Sequence, residues 1–152
     1  MRGKGITCDT GFFNAGISTR EAFDPAVVEL EMRIIHDGLC CTAGRVTGGD
    51  ATHLEAAATL AAEAGLEVWC LPFTCDLTTD EVLRFLIDCA ERAERLRQRG
   101  AEVVLVTGAE PSLFARGFSP PGTPWANDSA CSTRQSARAP YWRRCRLAAM
   151  AS

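Results

Sequence analysis

Two stretches, "GLEVWCLPF" (Gly65–Phe73) and "GAEVVLVTG" (Gly100–Gly108), decide how the chain reads. Each opens with a glycine and an apolar residue, continues with Glu-Val, and runs on into further apolar residues; the second repeats the first 35 residues later. Glycine is favoured just past the end of a helix, because the backbone there turns left-handed and other side chains resist that turn. The Val, Trp, Leu and Phe that follow are strand formers. A helix stop running directly into a strand, at a period of about one βα unit, predicts a parallel sheet covered by helices.

The flanking segments fit that unit. Before Gly100, "TTDEVLRFLIDCAERAERLRQRG" opens with a capping box from Thr78 to Glu81. Before Gly65, "ATHLEAAATLAAEAG" reads as an alanine-rich helix. Upstream lies a strand in "CTAGRVTGGD", weakened by Gly44. "FDPAVVELEMRIIHDGL" is a helix with Asp24 as N-cap and Pro25 at its first position. Its Val27, Val28, Met32, Ile34 and Ile35 fall at mixed three-and-four spacing, as on a face packed against a sheet. "KGITCD" supplies a first strand ending at Asp9. The fold class is therefore α/β with parallel βα units. An open doubly wound sheet and a (β/α)8 barrel both accommodate it. A barrel takes about 250 residues, so residues 1–118 would form its first half, with four strands.

The bulk composition agrees with one globular domain. The chain has 152 residues, 47% of them hydrophobic, and a net charge of −3. No apolar run approaches the roughly 18 residues of a membrane helix, and the N-terminus lacks the apolar core of a signal peptide. A cytoplasmic location without a membrane partner is the expectation. Of eight cysteines, Cys8, Cys40, Cys41, Cys70, Cys75 and Cys89 sit in or beside apolar segments, where cysteine acts as a small hydrophobe.

The charge divides abruptly. Up to Phe118 there are 18 acidic against 11 basic residues; from Ser119 onward Asp128 faces five arginines. Residues 119–152 lack periodicity and are rich in Ser, Pro and Arg, so a disordered tail is expected. Taken at face value, such a tail could bind nucleic acid. The genetic code suggests another origin. With the frame shifted back one nucleotide, the Trp125-Ala126 codons give glycine and the Asn127-Asp128 codons give arginine unless the chain stops. The permitted string includes G-D-T-L-G-E-R-L-x-L-L-D, an amphipathic helix start after a Gly-Asp turn. The tail thus reads as frameshifted, and nucleic acid is not the expected partner.

Functional groups in parallel α/β folds gather at the C-terminal ends of the strands. Those ends offer Asp9, Arg45 with Asp50, Pro72 with Phe73 and Asp76, and Glu110. Two carboxylates about a scissile bond, with an arginine to keep one ionised, meet the demands of glycoside hydrolysis. Glu110 is the catalytic candidate; Asp9, Arg45, Asp50 and Phe73 are candidate substrate-binding residues. Each has a structural alternative: Asp50 as a helix cap, Asp9 as acceptor for its own loop, Arg45 as an ion-pair partner. Cys70 and Cys75 have no second cysteine pair beside them, and "TGGD" lacks both the P-loop lysine and the dinucleotide spacing. No metal or cofactor is expected.

"KGITCDTGF", "FDPAVVELEMRIIHDGL", "RVTGGD", "AAEAGLEVWCLPFTCDLTTDE" and "CAERAERLRQRGAEVVLVTGAEPSLFARGF" resemble a family of actinobacterial proteins often labelled abortive (phage) infection proteins. The resemblance covers roughly Lys4 to Phe118. It implies a glycosidase-like (β/α)8 barrel, of which this chain is a truncated N-terminal half, and a Pro-Gly-Asp-Thr-like turn and helix after "GF" that the shifted frame restores. By wider similarity to retaining glycosidases of this barrel type, the acid/base glutamate follows strand four and the nucleophile strand seven. Glu110 matches the first position, with Ala109 in place of the usual preceding Asn. The parent is expected to act on a carbohydrate and the truncated chain to be inactive. A role in phage defence as a ligand-binding protein is the alternative. The first and fourth strands would be open edges that invite self-association.

Overall fold

The repeated glycines mark two copies of the same turn. The computed structural model describes residues 3–14 and 16–116; the basic segment 119–152 lies outside the described residues. Gly65 and Gly100 both have positive φ, +85° and +98°. At the first, the Gly65 amide donates to Ala62 O and the Leu66 amide to Ala61 O; at the second, Gly100 donates to Arg97 O and Ala101 to Leu96 O. This is the Schellman pairing, which satisfies the last carbonyls of a helix and turns the chain back. Strand pairing then begins at once, with the Glu67 amide on Thr42 O at 3.0 Å and the Val68 amide on Glu102 O at 2.8 Å.

The elements follow the expected alternation. β1 (Gly5–Asp9) leads through a small antiparallel pair, β2 (Phe13–Asn14) and β3 (Ile17–Ser18), to α1 (Pro25–Arg33). Then come β4 (Ala43–Gly48), α2 (Ala51–Glu63), β5 (Glu67–Pro72), α3 (Thr79–Gln98), β6 (Val103–Leu105) and the single-turn α4 (Pro111–Phe114). Asp24 accepts from the Ala26 amide and Asp50 from those of Thr52 and His53, while Thr78 and Glu81 complete their capping box. Each such cap typically contributes about 1 kcal/mol. Three features departed from expectation. The end of the first helix widens to π-type hydrogen bonding over Ile34–Gly38, β6 is only three residues long, and the β2–β3 pair occupies what read as a loop.

The main sheet is parallel throughout, in the order β1-β4-β5-β6. A doubly wound sheet reverses its strand order at a switch point; these four strands show no reversal. One row in register comprises Ile6, Gly44, Val68 and Val103, and another Cys8, Val46, Cys70 and Leu105. Val46 and Val68 pack in one core with Val28 and Met32 of α1, Leu54, Ala57 and Ala61 of α2, and Cys89 and Leu96 of α3. All three helices therefore cover the same face, α1 against α2 and α2 against α3. Gly44 allows that packing, because a Cβ there would lie 3.3 Å from Leu66 Cδ1. The alternate row, Thr7, Arg45, Trp69 and Val104, lies on the other face and is exposed.

The covered face thins toward its margin. Val68 is 0% exposed, but Ile6 in the same row of edge strand β1 is 43% exposed. No described strand pairs with the outer side of β1 or of β6. No helix of the described residues is long and apolar enough to cross a membrane. Four of the six described cysteines (Cys8, Cys41, Cys70 and Cys89) are buried, as expected; Cys40 is exposed and Cys75 half-buried.

At Gly100 a Cβ would meet nothing within 4 Å, so Gly100→Ala isolates the cost of the left-handed backbone. It should lower stability by about 1 kcal/mol, read as a lower denaturation midpoint with an unchanged m-value. Gly48→Ala should be far worse, because its Cβ would fall 2.0 Å from Thr10 Oγ1.

Candidate functional site

Four loops meet at the C-terminal ends of the strands, tied together by backbone bonds. The Thr10 amide donates to Thr47 O, Gly49 to Gly11 O, and Phe73 to Gly48 O, each within 2.9 Å. These bonds join the exits of β1, β4 and β5. The exit of β6 is fastened to that of β5 by the Asp76 amide on Phe114 O and the Arg116 amide on Leu77 O, both at 2.8 Å. Arg116 Nη2 also lies 3.7 Å from Asp76 Oδ1. Aromatic rings fill the seam. Phe12 stacks on Phe73 with centroids 3.9 Å apart, and Phe73 meets Phe114 at 4.9 Å. Such ring pairs contribute on the order of 1 kcal/mol beyond simple burial.

Glu110 stands at the end of this arrangement. It precedes Pro111, is exposed, and caps α4 without a side-chain capping bond. Its backbone is left-handed, with φ 48° and ψ 56°, a conformation that costs a non-glycine residue roughly 1–2 kcal/mol. Its carbonyl accepts from the Leu113 and Phe114 amides at 2.8 and 3.1 Å. The ring cluster that grips Phe114 therefore also holds the strained turn, and the carboxylate is presented to solvent from a fixed backbone. Strain of this kind persists only where surrounding structure imposes it. Asp76, with φ 61°, is a second strained carboxylate in the adjoining loop.

The other sequence candidates take structural parts. Asp9 Oδ1 accepts from the Gly11 amide at 2.8 Å, and Asp9 O accepts from Arg20 Nη1 at 2.7 Å. Asp50 Oδ1 is engaged by two amides at the start of α2. Arg45 is not at a strand end. It lies in the middle of β4 on the exposed sheet face, where its Nε donates to Thr7 Oγ1 at 3.0 Å. The alternation fixes its face, and its place three residues before the end of β4 sets it about 10 Å short of the rim. Phe73 is at the rim, between two other rings, so it acts as a wedge between loops.

An open cleft of about 530 Å³ lies off this rim, along the outer edge of β1. Arg20 and Glu31 cross it in a two-point ion pair at 2.9 and 3.1 Å. The Cys8 thiol donates to Glu31 Oε2 at 3.3 Å. Burial, with Glu31 as neighbour, pushes the Cys8 pKa up to about 12, so the thiol stays protonated and is a poor nucleophile. Burial likewise raises Cys70 to about 11 and Cys89 to about 12. No group of three His, Cys, Asp or Glu side chains among the described residues is placed to hold a metal ion.

Two residues escaped the sequence reading. The hydroxyls of Thr47 and Thr74 are buried without a hydrogen-bond partner among the described residues. Thr74 directly follows Phe73, and Thr47 is the penultimate residue of β4. Threonine is common at strand ends, so only the three-dimensional accounting singles these two out. Compared with known proteins, the chain matches no family model and no curated protein.

An unpartnered buried hydroxyl costs roughly 1–3 kcal/mol. Thr74→Val, close to isosteric, should therefore leave stability unchanged or raise it in urea denaturation. Among the six cysteines of the described residues, alkylation under native, mildly alkaline conditions should label Cys40 first and spare Cys8, Cys70 and Cys89 until the protein unfolds, as peptide mass mapping would show.

Proposed function

We propose that these residues form the first four strand–helix units of a glycosidase-like (β/α)8 barrel, and that Glu110 is the carboxylate its rim presents to a carbohydrate. The reading draws on the resemblance to the actinobacterial family with the abortive-infection label. What supports it is one observation above all: Glu110 is exposed at the C-terminal end of β6 in a left-handed backbone clamped through Phe114 and Phe73. The unreversed strand order and the helices gathered on one face agree with the first half of a barrel.

Chemistry on a glycosidic bond by this route takes two carboxyl groups, one to protonate the leaving oxygen and one to attack or to activate water. Glu110 has the position of the acid/base residue. Asp9 and Asp50 each engage backbone amides, and Arg45 lies away from the rim. The chain as it stands is therefore proposed to bind sugar without hydrolysing it. A ligand-binding part in phage defence is the alternative, and the same commitment of Asp9 and Asp50 to loop and cap favours it.

Purified protein assayed against a panel of aryl glycosides should show no release of the aryl group above buffer. Turnover that disappears in Glu110→Gln would overturn the inactive reading. Glu110→Gly should relieve the backbone strain, with a net gain in stability below about 1 kcal/mol after the added freedom of the unfolded chain. It should also abolish any sugar binding detected by calorimetry. Binding that survives both substitutions would remove Glu110 from the site.

A further inference from the structure

The two margins of the sheet carry matching unfinished surfaces. On the β1 side, Val27, Leu30 and Ile34 recur at three-and-four spacing on one flank of the first helix and its π-type extension, and all are exposed. Ile34 lines the open cleft beside β1. On the β6 side, Leu83 and Ile87, one helical turn apart, are exposed on α3. They face away from Arg92, which pairs with Glu55 of α2, so this flank points outward from the helix layer. Where α1 meets α2 and α2 meets α3, the corresponding flanks are covered.

Between these margins lies the uncovered sheet face, with Trp69 and Val104 exposed in one row. The same face carries Arg45 and two anions, Asp9 at the end of β1 and Glu67, whose carboxylate accepts from Trp69 Nε1 at 3.0 Å. Both outer strands belong to one parallel sheet, so β6 of one copy and β1 of another can extend the ladder in the same direction.

We propose that a second copy of this chain completes the barrel: two copies pair about a two-fold axis along the strands, β6 of each beside β1 of the other. Four strands from each copy make the eight of a (β/α)8 barrel. Each seam joins unlike surfaces, α3 of one copy against the first helix of the other, and the two-fold axis repeats it, so the assembly closes without leaving an edge. The pairing would bury the exposed apolar side chains of both flanks and of the open face together with two strand edges; specific interfaces bury roughly 1,200–2,000 Å². The cleft beside β1 is then filled by the partner's β6 and α3. Closure also brings the second copy's Glu110 to the same rim. That consequence rests on the carbohydrate reading, whereas the pairing itself does not.

Light scattering on the full chain, with mass followed against concentration, reads the pairing without any sugar. The expected species is a dimer. Ile87→Glu and Ile34→Arg each alter an exposed side chain, so circular dichroism should be unchanged. Each alone should weaken the dimer about tenfold or more. Together they place opposite charges across the contact and should restore it. A monomer at all concentrations would overturn the proposal. So would a dimer indifferent to either substitution, because each seam needs both flanks, or a double variant no more dimeric than the singles.

Discussion

The packing of α2 on the paired strands β4 and β5 is the contact on which the rest depends. Ala57 and Ala61 are fully buried, and with Ala58 they give the helix a small-residue face that seats close to Val46 and Val68. Larger side chains there would lift the helix off the sheet, since interiors are packed too tightly to absorb added methylenes without strain. α1 and α3 then lie on either side of α2. The Arg92–Glu55 pair and the buried Met32 and Leu54 belong to that arrangement. The exits of the strands, and so the rim that carries Glu110, take their positions from the same central layer.

Much of this could be read from residue order, because local physics determined it. The Gly65 and Gly100 stops, the Asp24 cap and the Thr78–Glu81 box all turned out as the sequence had implied. Each depends on a few adjacent residues and a backbone geometry that tolerates few alternatives. The parallel arrangement followed from the same periodicity. Less could be read where partners are distant. The β2–β3 pair involves only Phe13, Asn14, Ile17 and Ser18, too short a run for alternation to show. The widening of the first helix at Ile34 left no mark in the sequence that distinguishes it from an ordinary helical turn.

The site was the harder inference. Carboxylates near strand ends are equally suited to capping an amide and to meeting a ligand, and residue type alone does not separate the uses. Geometry divides them: Asp9 and Asp50 are held by backbone amides, while Glu110 is exposed on a strained turn. Arg45 was displaced by an error of register rather than of chemistry, since the strand extends three residues beyond it to Gly48. Thr47 and Thr74 are the reverse case, plain residues made unusual by burial.

The two Schellman turns bear on how the chain reaches this state. Because Leu66 and Ala101 are at once the last bonded residues of a helix end and the immediate lead into a strand, no loop separates the two. Forming the helix thus delivers the next strand already oriented, and little loop-closure entropy stands between one unit and the next. β1 is different: it meets β4 across 38 residues, from Gly5 to Ala43, and must wait for α1 to form. During synthesis the first strand made is consequently an unpaired edge, and the later units, each prepared by its own helix, add to the sheet in chain order.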